Sequence, residues 1–171
     1  MTSPTCIVPA ALVCLAIVPL RAERGPSTPE ERARVQRLAA ETDQDPLKLL
    51  TPEGRWFTKW LDDVPDVTFG PEAPARWMEK EAKGDLRRVA IPKYMLSGVA
   101  HMLAHGLQDA RKAPDRGVAV HQAALEGVVR AYEALRDKKP ENRSAAFDEA
   151  LAQLKAGTFP AFVAGLYPKS R

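Results

Sequence analysis

Cysteine is the scarcest chemistry in this chain. Only Cys6 and Cys14 are present, and both sit inside one apolar run near the N-terminus. If that run is removed, the remaining chain has no disulfide, no thiolate metal site and no cysteine nucleophile, whatever compartment it occupies. A surplus of one charge is also missing. Lys and Arg total 25 against 22 Asp and Glu, a net +3, too small to argue for a nucleic-acid partner. The 10 glycines form no phosphate-cradling loop, and there is no Gly-x-Ser-x-Gly elbow, haem-attachment Cys-x-x-Cys-His or calcium loop. Strict apolar–polar alternation between hairpin turns is absent too, so no β-strand is expected. These gaps exclude the enzyme classes that leave short signatures and point to an all-α protein.

What is present begins with an address. Met1 to Leu20 carries no charged side chain, and Cys6 to Leu20 is a 15-residue apolar run. As a helix it would reach ~22 Å, short of the ~30 Å hydrocarbon layer, and Pro9 and Pro19 weaken it further as a span. Followed by Arg21-Ala22 and polar Glu23-Arg24-Gly25, the segment 1–22 reads as an export signal cleaved near Ala22. Against that reading stand the lack of a Lys or Arg before the run and the bulk of Leu20 three residues before the cut. The alternative is a short retained anchor. Export places the protein in the periplasm, the envelope or the extracellular space, and contact with a membrane is expected only if the segment stays attached.

The rest divides into a linker (23–27), one helical domain (28–167) and a tail (168–171). The 15 prolines and several capping residues set the divisions. Thr28-Pro29-Glu30-Glu31 combines a hydroxyl cap, a first-turn proline and a glutamate at the third helical position, with Val35, Leu38, Ala39 and Thr42 behind it and Asp45-Pro46 as the stop. Thr51-Pro52-Glu53 repeats the opening before the Trp56, Phe57, Trp60, Leu61 and Val64 stripe. Residues 65–71 form a loop, and a short helix from about Pro74 to Lys83 is stopped by Gly84. A central antiparallel pair follows, one helix from about Pro92 to Lys112 and one from about Val118 to Lys138, joined tightly through Pro114 to Gly117. A last helix carries Phe147, Ala150, Leu151 and Leu154 to Gly157, and Phe159 to Tyr167 docks back on it. The expected architecture is an irregular bundle of about five or six helices.

Three histidines hold the sharpest chemistry. His101 and His105 are one helical turn apart, a spacing that can grip one metal ion, and Asp109 extends the row by another turn. A divalent transition metal or haem on His101, His105 and Asp109 is the alternative to a protein without cofactor. Met102 stands where a zinc-protease helix needs its glutamate, so no general base is in place for a metal-bound water. On a helical wheel the pair shares the outer face with Tyr94, Gln108 and Lys112, opposite the Met/Leu/Val stripe. His121 points the other way, toward the core. Trp56 and Trp60 are expected in the core rather than in a ligand pocket. The basic pairs Arg87-Arg88 and Lys138-Lys139 read as solvated surface, and Asn142-Arg143-Ser144 matches a glycosylation acceptor on a loop. The function that follows is a non-catalytic binding or interaction protein, its partner an unidentified protein or small molecule. A small anchored subunit of a membrane complex is a further alternative.

Overall fold

A computed structural model describes residues 24–113 and 117–168, so the segment expected to direct export, both cysteines, Pro114 to Arg116 and the last three residues lie outside the described part. Within it the chain forms seven α-helices and three short 3-10 turns, with no strand among the described residues. The helices are α1 (Pro29–Gln44), α2 (Pro52–Asp63), α3 (Ala73–Glu81), α4 (Gly84–Ala104), α5 (Val118–Leu135), α6 (Ala145–Lys155) and α7 (Phe159–Gly165). The all-α expectation holds, with one helix more than the expected five or six: the tail, expected only to dock, is itself α7, burying Phe159 and Val163.

Local chemistry explains most boundaries. Thr28 and Glu31 form a reciprocal capping box at the start of α1, and Asp45 closes it before Pro46. Thr51 caps α2 in the same way on one side, accepting from the Glu53 amide. The linker does not float: the Ser27 amide and hydroxyl both donate to Asp66, at 2.8 Å each, fixing it to the loop after α2.

α4 departs from expectation at both ends. It begins at Gly84, with Pro92 in its interior rather than at its start. Pro92 costs the Arg88 carbonyl its partner, but Arg88 is exposed, so water can replace the lost bond. Gly84 therefore opens α4 instead of closing α3. At the other end α4 stops at Ala104, well before Lys112. Gly106 adopts φ +66°, its amide donates to the Leu103 carbonyl (3.4 Å), and the Leu107 amide donates back to Met102 (2.9 Å). This is a Schellman closure, and it turns the chain off the helical axis.

α4 and α5 make the most extensive packing in the molecule. They run antiparallel: Asp85 near the start of α4 is bonded to Asn142 just beyond α5, Ser97 faces Gly127, and His101 shares a cleft with Ala123. α1 packs against both. The core is continuous from Leu38 and Trp60 through Leu86, Leu96 and Val128 to Phe147 and Phe159.

Candidate functional site

The seam where α1 meets α4 and α5 is built from small side chains. Ala39 and Ala40 come from α1, Ser97, Ala100 and Ala104 from α4, and Ala123 from α5. Larger side chains would fill the seam; these leave a trough of about 320 Å³. Gln36, Asp43, His101, Glu126 and Arg130 line it with polar groups. The trough is open, and its lining combines alanines with a few convergent polar groups of the kind that orient a small molecule.

Behind the trough lies an unusual charge. Lys93 is completely buried (0% exposed) in the middle of α4. Its ammonium donates to the Ala39 carbonyl (2.9 Å), to Thr42 Oγ1 (3.0 Å) and to Asp43 Oδ1. Thr42 hands its own proton to the Leu38 carbonyl at 2.8 Å, which turns its lone pairs toward the lysine. Burial pushes the Lys93 ammonium below the ordinary lysine range, and the Asp43 carboxylate opposes that push. The second oxygen of Asp43 accepts from Arg130 Nε at 2.9 Å. One carboxylate thus ties an internal cation to a cation at the rim of the trough.

Hydrogen-bonding capacity remains at that rim. Gln36 Nε2 donates to the Ala100 carbonyl at 2.7 Å, so the amide oxygen is the group left over. Glu126 accepts from Gln122 at 3.0 Å, while its other oxygen stands 3.6 Å from Arg130 Nη1, beyond hydrogen-bond length. Arg130 is pinned through Nε, and its outer Nη edge keeps the fork that carboxylates fit.

His101 and His105 are brought together, their rings stacked 4.1 Å apart. His105 Nδ1 lies 2.8 Å from the His101 carbonyl, which can only accept, so Nδ1 carries the proton. Asp109 does not continue the row, because α4 has already ended. It caps the turn at Ala110–Lys112, its carboxylate taking Arg111 Nε and Nη2 at 3.0 Å each. Gln108 and Lys112 leave the expected outer face for the same reason. Among the described residues no group of three or more His, Cys, Asp or Glu side chains is placed to hold a metal ion.

Tyr94 also departs from that outer face: it is fully buried, and its hydroxyl shares a hydrogen bond with His121 Nδ1 at 2.7 Å. Desolvation pushes the Tyr94 phenol upward, which keeps it neutral. His121 is buried as expected, with Phe69 stacked on it at 5.0 Å and Glu72 3.7 Å from Nε2 at a smaller pocket of about 190 Å³.

The remaining sequence candidates resolve into structure. Trp60 is core, and Trp56 is half-buried beneath the Arg34 guanidinium, 3.7 Å from its ring, with Arg34 held by both oxygens of Glu53. Lys139 pairs with Asp85 at 2.9 Å rather than standing free in solvent. Asn142 is no open acceptor: its side chain is fully buried, donating to the Leu135 carbonyl and accepting from the Asp85 amide, both at 2.8 Å.

No motif in the sequence singled out Lys93, Asp43, Gln36, Arg130 or Glu126 as a candidate site. One signal was available: Lys93 is the only Asp, Glu, Lys or Arg between Val89 and Ala104. A lone charge in such a stretch marks a buried cation that needs a partner. No protein-family model, curated protein or solved structure matches the chain.

Proposed function

We propose that this is an exported, non-catalytic binding protein of the periplasm, envelope or extracellular space, and that it recognises a small polar molecule in the cleft between α1, α4 and α5. The observation that carries the reading is the anchoring of Arg130, through Asp43, to a lysine with no exposed surface. A buried ion pair is a poor way to stabilise a bundle, since apolar residues of like volume often do as well or better. What it does supply is orientation. The Arg130 fork and the Gln36 amide are held in place before any ligand arrives, which lowers the ordering cost of binding. Export is supported by the charge-free run from Met1 to Leu20.

The cleft is tested by ¹H–¹⁵N correlation spectra recorded against a library of small polar metabolites. Binders should shift amides within 36–43, 97–104 and 123–130, and Ala40→Phe, which overhangs the trough from an exposed position, should abolish those shifts. Binders mapping elsewhere, or none at all, overturn the reading. N-terminal sequencing of the protein from its own source tests export: a mature chain beginning at or near Glu23 is expected, and retention of 1–22 favours the anchored subunit.

A further inference from the structure

We infer, resting on the cleft reading above, that the ligand is a small zwitterion of the α-amino carboxylate type. The lining charges decide this. Arg130 offers a cationic fork, and Asp43 and Glu126 stand beside it as carboxylates. Lys93 balances the total charge but has no exposed surface, so it cannot be touched from the trough.

A plain anion on the Arg130 fork would face both carboxylates at close range, and a plain cation beside Glu126 would face the guanidinium. Like charges so placed cost binding, and either ion would leave half of the rim unused. A molecule carrying both signs a few bonds apart uses all of it. Its carboxylate takes the outer Nη edge of Arg130. Its ammonium donates to the Gln36 amide oxygen, which has no protein partner among the described residues, and to the Glu126 oxygen left 3.6 Å from Arg130. The alanines of the lining suit a short aliphatic or hydroxylated side chain, and a trough of about 320 Å³ has room for one.

The test compares intact and halved ligands by titration of the same amides. L-Alanine and L-serine are the zwitterions; propionate and ethylamine are the two halves. Both amino acids should bind, and each half should bind about tenfold more weakly or worse, the loss of one charge-assisted bond. Gln36→Leu should weaken L-alanine by about the same factor, and so should Arg130→Lys, which keeps the charge on Asp43 but loses the fork. Glu126→Gln separates the terms, weakening L-alanine while strengthening propionate. Propionate or ethylamine binding as tightly as L-alanine overturns the inference in favour of a simple ion site and leaves the cleft reading intact. Failure of both amino acids at millimolar concentration overturns it as well, whereas the cleft reading falls only if the wider library finds nothing there.

Discussion

Lys93 and Asp43 form a pair in which the two partners are unequal. Asp43 keeps a partial outlet to solvent and a second cation, Arg130, whereas Lys93 has neither. Removing the carboxylate strands a buried ammonium, so Asp43→Ala should cost about 3–5 kcal/mol of unfolding free energy. Adding Lys93→Met should restore at least half of the loss, because the uncompensated charge goes with it. Urea denaturation of both single variants and the double variant checks this, and a purely additive cycle would contradict it. Asn142 holds the start of α4 to the end of α5 with two bonds from one amide. Asn142→Ala should cost about 2–4 kcal/mol, since it leaves two backbone groups unpaired. The same burial denies the side chain to a glycosyl transferase, so passage through a eukaryotic secretory pathway should add no glycan mass at Asn142. At the stacked histidine pair, replacing His101 and His105 by alanine should change neither metal content nor melting temperature, because Asp109 is engaged by Arg111 and does not complete a shell. Loss of a stoichiometric metal in that variant would restore the metal reading.

Between elements, approach distance decides more than propensity. Gly127 lets α5 lie against Ser97 of α4; a Cβ there would stand 2.0 Å from Ser97 Oγ. Gly127→Ala forces the helices apart in the most extensive packing of the fold and should cost about 1–3 kcal/mol by chemical denaturation. Gly106→Ala has open space around it and suffers only from its left-handed backbone, so a smaller cost of about 1 kcal/mol is expected. Element starts were legible where capping chemistry marked them, as at Thr28 and Thr51. The limits of α4 were not. Proline was read as a start, but Pro92 is tolerated inside because its orphaned carbonyl belongs to an exposed residue. Gly106 was readable as a stop, yet apolar periodicity carried the expected helix past it, and the error placed Asp109, Gln108 and Lys112 on a face that does not exist. The face of Tyr94 was misjudged for another reason. α4 is covered by α1, α3 and α5 as well as its own apolar stripe, so a helix with a polar side on paper has almost none in the bundle.

For the molecule as a whole, pH response follows from which groups are held charged. Burial raises the Asp66 carboxyl, but the amide and hydroxyl of Ser27 and the Arg32 guanidinium outweigh it and hold it below the usual range. Glu53 is held low by hydrogen bonds from Arg34. Folded values below unfolded ones mean that the unfolded chain binds more protons, so this stability is present above about pH 4 and is lost as pH falls through the folded values. Lys93 acts at the other end. Its depressed folded value means that the unfolded chain also binds more protons between that value and about 10.4, so its contribution rises with pH across that interval. Unfolding free energies from neutral pH to 10 should therefore climb more in the wild type than in Lys93→Met; parallel curves would show that the buried ammonium is not destabilised.

What the amino-acid order determined unaided was the kind of object: helices set off by caps and prolines, a cysteine-poor domain and an inward-facing His121. Those properties are local, fixed by hydrogen bonds a few residues long and by the 3.6-residue period. The cleft was decided only in three dimensions. Asp43, Lys93 and Arg130 come from three helices and are far apart along the chain, and the alanines that make room for a ligand look like any other good helix formers until three helices are brought side by side. A buried charge is visible in a sequence; the partner that makes it tolerable is chosen by packing.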